Sequence, residues 1–293
     1  MKKFIFMAFM ALGIIFVACD DDDDVEITTK SITLAIEGLE NLGSDYVYEG
    51  WIMVNNKPQT TGRFRVDDQG MLDQTTFTLD KSDLEIATAF ILTIEPTIGD
   101  DPTPSDVHIL AGDFSGNTGN LTISHGAAIG NDFSTASGKY ILATPTDGSM
   151  NNEKSGIWFL SLESMSPVAG LILPTLPDGW VYEGWAVIDG IPVTTGTFLN
   201  NTGADSFDDY SSTLNDGPPF PGEDFIMNPP TGLTFPTNIS GGKVVISIEP
   251  VPDNSPNPFL LKPLVSDIPI TASDHTTYTI AKNLNFPTGI VSR

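Results

Sequence analysis

The chain has 293 residues, enough for two domains of ordinary size, and carries 38 acidic against 13 basic side chains for a formal charge of −25. That excess excludes the phosphate contacts on which nucleic-acid binding rests, and equally docking on anionic lipid through basic patches. It suits a soluble, self-repelling surface facing the medium. A single cysteine, Cys19, rules out a disulfide or a thiolate metal cluster within the chain.

Residues 1–18 read as a signal peptide. Lys2 and Lys3 precede an apolar run from Phe4 to Val17, shorter than the ~20 residues of a membrane-spanning helix. Phe16-Val17-Ala18-Cys19 resembles a bacterial lipobox, in which a small residue precedes the cysteine that is acylated and becomes the mature N-terminus; Phe16 stands where leucine is usual. Cys19 is therefore the expected lipidation site, and residues 19–30 an acidic tether. Several acyl chains, at ~0.8 kcal/mol per buried methylene, would hold even this acidic chain on a membrane. Asp20 to Asp24 make a solvated spacer. They also resemble the acidic stretch that sends some Gram-negative lipoproteins to the cell surface. The expected location is lipid-anchored, at the outer membrane or cell surface.

From Ile27 onward the pattern is β. Strands are expected at Ser31–Ile36, Val47–Val54, Gly62–Val66, Thr75–Leu79, Ala89–Ile94, Val107–Ala111 and Asn120–Ser124, with a further hairpin from Lys139–Ala143 and Gly156–Leu162. The best helical stretch, Lys81 to Ala89, reads as a short turn because it runs directly into Phe90-Ile91-Leu92-Thr93-Ile94. A second set lies at Gly170–Leu173, Trp180–Ile188, Thr195–Leu199, Lys243–Ile248, Phe259–Leu264 and Thr277–Ala281.

The second set repeats the first. Residues 46–64 align without a gap on 180–198, with 10 identities in 19 positions. Val-Tyr-Glu-Gly-Trp occurs at 47–51 and 181–185, and Pro-x-Thr-Thr-Gly-x-Phe at 58–64 and 192–198. Alternation puts Glu49, Trp51 and Met53 on one face of a strand and Tyr48, Gly50, Ile52 and Val54 on the other. Asn55-Asn56 and Asp189-Gly190 tolerate positive φ and mark a tight hairpin, while Pro58 and Pro192 place the return strand at an edge or bulge. A second echo pairs Leu92-Thr93-Ile94-Glu95-Pro96 with Ile246-Ser247-Ile248-Glu249-Pro250. The longer spacing there implies an insertion at 201–237, expected as a long irregular loop.

The repeat implies two tandem β-sandwich (immunoglobulin-like) domains: domain 1 at 31–165 and domain 2 at 166–293, the boundary falling where Ser166-Pro167 breaks a strand. Tyr48, Glu49, Trp51 and Glu95, with Tyr182, Glu183, Trp185 and Glu249, are read as residues that maintain this fold.

The second copy, with Leu173-Pro174-x-Leu176-Pro177, Tyr182-Glu183-x-Trp185, Asp189-Gly190-x-Pro192, Thr195-Gly196-x-Phe198 and the Ile-Glu-Pro element, resembles the C-terminal extracytoplasmic domain of anti-sigma-K factors. The first copy matches at Leu39, Leu42, Tyr48, Glu49, Trp51, Pro58, Gly62 and Phe64 but lacks the Leu-Pro-x-Leu-Pro prolines. The resemblance implies a β fold and an extracytoplasmic role in sensing or binding. It does not carry over sigma-factor inhibition, since an export signal stands where the family has its sigma-binding region and membrane helix.

Catalysis has little support. Ser240-Gly241-Gly242-Lys243 matches Ser-x-x-Lys only formally, and His108, His125 and His275 have no zinc-protease spacing. The repeated glutamates could serve glycoside hydrolysis, but residues kept in both copies suit the fold better. No cofactor is expected; calcium is the one ion the acidic loops suit, with Asp100, Asp101, Asp106 and Asp253 as candidates and Asp205, Asp208 and Asp209 in the insertion. The expected function is that of a non-catalytic envelope lipoprotein binding a protein or glycan. The alternative is a carbohydrate-binding or carbohydrate-active protein using Phe207, Tyr210 and Phe220.

Overall fold

A computed structural model of the chain describes residues 28–148, 152–253 and 255–293. The signal peptide, Cys19 and the Asp20–Asp24 run lie outside the described residues. The first half contributes β1 (Thr29–Glu37), β2 (Tyr46–Val54), β3 (Lys57–Phe64), β4 (Thr76–Asp80), helix α1 (Lys81–Ile86), β5 (Ala89–Pro96), β6 (His108–Asp113), β7 (Thr118–Thr122), β8 (Ser137–Leu142), β9 (Gly156–Trp158) and β10 (Leu160–Ser161). The second contributes β11 (Val168–Ala169), β12 (Leu171–Ile172), β13 (Trp180–Ile188), β14 (Ile191–Phe198), β15 (Gly222–Asp224), β16 (Lys243–Pro250), β17 (Leu264–Asp267), β18 (Tyr278–Ile280) and β19 (Thr288–Ser292). The protein is almost entirely β, built of antiparallel sheets.

The repeated sequence folds twice in the same way. β2 pairs with β3 and β5, and β13 pairs with β14 and β16, in matching register: Tyr48 faces Phe64 and Tyr182 faces Phe198. Both hairpins turn on positive-φ pairs, Asn55-Asn56 and Asp189-Gly190. Both carry a bulge after the central glycine, between Gly50 and Trp51 and between Gly184 and Trp185. A Cβ on either glycine would stand 2.4 Å from the hydroxyl of Thr61 or Thr195, which explains why both copies keep glycine there. The proline-bearing strands β3 and β14 lie at sheet edges, where a missing N–H costs no ladder bond.

The pleat divides the side chains as alternation requires. Tyr48, Ile52 and Val54 enter the main core, whereas Trp51 packs on the opposite face with Ile91, Ala111 and Ala128.

The halves are interleaved. β19, from the C-terminus, lies between β7 and β1 in an eight-stranded sheet ordered β3-β2-β5-β6-β7-β19-β1-β4. β8 pairs with β12 and β18, and β9 with β15. The expected boundary at 165/166 shows no break in pairing, because β10 and β11 form a small ladder across it. One core cluster runs from Ile32 to Val291.

Several elements differ from the sequence reading. β19 is an unforeseen strand, and the insertion at 201–237 is not wholly irregular because its residues Gly222–Asp224 form β15 against β9. The third strand starts earlier than Gly62, since the Asn-Asn turn brings Lys57 into register with Val54 at once. The expected Phe259–Leu264 strand is displaced to Leu264–Asp267, leaving Leu261 to accept a single bond from the Ile248 amide.

Trp51 and Trp185 are 2% and 3% exposed. Trp51→Ala and Trp185→Ala should each lower stability by ~3–5 kcal/mol, read as a shift in the urea midpoint. An unchanged midpoint in both variants would contradict this packing.

Candidate functional site

Each copy builds a buried carboxylate station on the face that carries its tryptophan. In the first, the Trp51 indole N–H donates to the Thr93 hydroxyl at 2.9 Å, and that hydroxyl donates to Glu95. The Ser105 amide donates to the same Glu95 oxygen at 2.9 Å. In the second, Trp185 donates to the Ser247 hydroxyl at 2.8 Å, Ser247 donates to Glu249, and the Phe259 amide reaches Glu249 at 2.9 Å. Thr60 and Thr194 donate to Glu49 and Glu183. All four glutamates are buried. Buried carboxylates persist when hydrogen bonds replace water; here Glu95 and Glu249 take donors from their own strands (Thr93, Ser247) and from the loop after Ile-Glu-Pro, and Glu49 and Glu183 take them from the return strand. The relay thus fastens each Glu-Pro loop to its hairpin.

The stations differ in one respect. In the first, the Arg63 guanidinium donates from Nε to Glu49 at 2.6 Å and also binds Asp100. In the second, the residue opposite Glu183 is Thr197. There Glu183, Glu249 and Asp253 bring one carboxylate oxygen each within 4.8 Å of one another. Burial, with the neighbouring carboxylates acting in the same sense, raises Glu183 to about 7 and Glu249 to about 8. Of the calcium candidates, only Asp253 belongs to this group. Asp100 is engaged by Arg63, Asp101 caps its own turn by accepting from the Thr103 amide and hydroxyl, and Asp106 lies in no such group among the described residues. Sequence reasoning missed Arg63; its signal is an arginine facing threonine at one of the two positions where Pro-x-Thr-Thr-Gly-x-Phe differs between the copies, the other being Gln59 against Val193.

The two Glu-Pro loops face a common cleft of about 410 Å³. Leu42, Ile94 and Val107 line it from the first half and Pro250 and Phe259 from the second, with Glu40, Asp45 and Asp253 as its acidic groups. Burial raises Glu40 to about 7 against the pull of the Lys262 charge.

The insertion builds a separate acidic region. Glu223 and Asp224 are fully buried on β15, with Trp158 donating to Asp224 at 2.7 Å and Ser211 donating to Glu223. Burial, and for Glu223 the charges of Asp205 and Asp224, pushes Glu223 to about 8, Asp205 to about 7 and Asp224 to about 6. The aromatics expected as sugar platforms are half-buried. Phe207 packs edge-on against Tyr210, Tyr210 packs against Phe225 and Phe235, and Phe220 joins the Trp158 cluster.

The formal Ser-x-x-Lys pair and the histidines engage other partners. Lys243 pairs with Asp267 rather than with Ser240. His108 and His125 both bond Ala127, to its carbonyl and its amide respectively, and His275 lies beside Asp274. No known family model, curated protein or solved structure matches the chain.

The raised carboxyls fix a pH dependence. Folded Glu223 keeps its proton up to about pH 8, whereas in the unfolded chain it would lose it near 4.5. Between those values the folded state binds more protons than the unfolded one, so stability falls as pH rises. Glu40, Glu183, Asp205 and Glu249 act in the same direction. Urea midpoints should decline from pH 5 to pH 8, and Glu223→Gln should make that decline shallower; an unaltered slope would show that Glu223 is ionised in the folded protein.

Proposed function

We propose that the protein is a lipid-anchored envelope protein with a non-catalytic, extracytoplasmic binding or sensing role, and that it receives its ligand in the cleft between the two Glu-Pro loops. The cleft is the observation that carries this reading. It is concave, mostly apolar and bordered by a few acidic groups, as small-ligand sites are. Its two walls come from the two copies of one motif, each held by its own relay, so the site is stiff before a ligand arrives. The acidic groups favour a ligand with an apolar body and a cationic group.

In this proposal each half belongs to a β-sandwich of the anti-sigma-K C-terminal type. Besides the motif, the Tyr48 and Tyr182 hydroxyls support it. They donate to the carbonyls of Glu40 and Pro174, eight residues upstream in both copies, in the manner of the tyrosine corners of immunoglobulin-like folds. The signal peptide at 1–18 and lipidation at Cys19 would set the protein outside the cell, and that setting separates it from direct sigma-factor control. The inward packing of Phe207, Tyr210 and Phe220 favours this reading over a carbohydrate-active one.

A set of apolar amines and their N-acetylated counterparts, followed by thermal shift, tests the proposal. Amines should stabilise the protein more than their acetylated forms, and Ser44→Trp, which fills the cleft from an exposed lining position, should abolish the effect. Ligands that stabilise the wild-type and Ser44→Trp proteins equally would place binding elsewhere.

A further inference from the structure

The cleft holds one carboxyl that the fold does not require. Glu40 precedes β2, and its backbone carbonyl accepts the Tyr48 hydroxyl at 3.0 Å. In the second copy Pro174 stands eight residues before Tyr182, and its carbonyl accepts at 2.6 Å, so the corner is built equally well without a carboxyl side chain. The Glu40 side chain instead crosses to the other half, where its carboxylate accepts the Leu260 amide from the segment after β16. It is half-buried in a wall that also carries Leu42, Ile94, Val107 and Phe259. Asp45 on its own segment and Asp253 on the second Glu-Pro loop border the same cleft. Asp67 and Asp68, on the loop after β3, share an adjoining pocket of about 380 Å³ with Glu40; Asp67 accepts the Gln69 and Met71 amides, and Asp68 the Asn41 side chain. Lys262, after Phe259, is the base whose charge reaches Glu40, yet among the described residues no ion pair joins the two.

From this we infer that Glu40 is the group that receives the cationic end of the cleft's ligand, and that the ligand expels a proton from it on binding; this rests on the cleft being the ligand site. Asp45 and Asp253 are exposed, so water and salt screen them, whereas a half-buried carboxylate attracts a cation through a medium of lower dielectric. Glu40 also holds its proton up to about pH 7, because burial outweighs the pull of Lys262. Near neutral pH the empty cleft therefore stands between a neutral wall and an anionic one. An ammonium group brought against Glu40 favours the ionised carboxylate, so the proton passes to the buffer as the ion pair forms. Below pH 7 the ligand has to displace that proton, and affinity falls. Above it Glu40 is already ionised, and affinity levels off. A neutral ligand of the same shape gains nothing from Glu40 and shows no such dependence. Affinity for the cation thus follows the pH of the surroundings through one side chain.

The test titrates the full chain in detergent with 2-phenylethylamine, which stays cationic from pH 5.5 to pH 8, and with its N-acetyl derivative. Calorimetry at pH 6.5 in phosphate and in ACES, buffers of unlike ionisation enthalpy, counts the protons released by the wild type without recourse to a variant. Binding of the amine should release roughly half a proton or more per ligand, and its affinity should rise roughly tenfold from pH 5.5 to pH 8. The N-acetyl derivative should release none. Glu40→Gln keeps the acceptor for the Leu260 amide and leaves the backbone carbonyl that Tyr48 uses. It should weaken the amine roughly tenfold at pH 8, abolish the proton release and flatten the pH dependence. An amine that Ser44→Trp excludes, but that binds without proton release and equally well to Glu40→Gln, would overturn the role of Glu40 and leave the cleft as the ligand site. An amine that fails to bind the wild type, or that binds Ser44→Trp as well as the wild type, would remove the cleft reading and the role of Glu40 with it.

Discussion

Four glutamates buried in β-structure are the constraint around which the molecule is arranged. A carboxylate withdrawn from water costs several kcal/mol unless hydrogen bonds or a counter-charge replace the lost solvation. Both copies meet most of that cost in the same way, although Glu95 Oε2 is buried without a hydrogen-bond partner among the described residues. A tryptophan indole donates to a strand hydroxyl, the hydroxyl to a glutamate, and an amide of the following loop to the same glutamate. Because the donors come from separate segments, satisfying the charge fixes where those segments sit. The tryptophan cannot leave its face, the strand cannot slip by one residue, and the Glu-Pro loop cannot swing free without exposing an unsatisfied acid.

This explains why the two copies agree in the interior of the repeat while their surroundings diverge. The hairpin, its positive-φ turn and its post-glycine bulge are alike in both copies, down to the glycine beneath the threonine hydroxyl. Beyond the hairpin the copies are free to differ. The first copy continues through Phe77, whose ring lies 2.7 Å from where a Cβ on Gly62 would stand, whereas at the matching Gly196 the second copy places Asp205 and Phe207 of the insertion. The two Glu-Pro loops, each held by its own relay, become the walls of one cleft. The smallest divergence is also electrostatic: Arg63 places a guanidinium against Glu49, whereas Thr197 stands at the matching position opposite Glu183.

Much of this was legible in the sequence because it is local. Asn55-Asn56 and Asp189-Gly190 announce their turn through backbone preference alone, and alternation assigns Trp51 and Tyr48 to opposite faces without knowledge of the neighbours. The unread parts are non-local. β19 is a five-residue strand after Asn-Phe-Pro, with little hydrophobic pattern of its own. It is a strand because β7 and β1 leave a gap of the right width, and Gly289 fits there because a Cβ would press to 2.8 Å from the Ala35 carbonyl. β15 likewise exists because β9 offers it an edge. The interleaving across 165/166 arises from such long-range completions, which period and propensity do not encode. For the candidate site, the glutamates were visible as repeated residues, but their role as relay termini needed the third dimension. Arg63 is invisible to a comparison that counts only what the copies share, because its meaning lies in where they differ.

The relay is tested most directly by a double-mutant cycle between its ends. Trp51→Phe keeps most of the ring's volume and removes the indole donor; Glu95→Gln keeps the shape and removes the charge. Measured by urea unfolding, the two should be coupled by ~1–2 kcal/mol, and Trp185→Phe with Glu249→Gln should give a similar value at the same end of the second relay. Strict additivity in both copies would mean that the indole, the hydroxyl and the carboxylate merely lie near one another, and that some other contact holds the Glu-Pro loops to the hairpins.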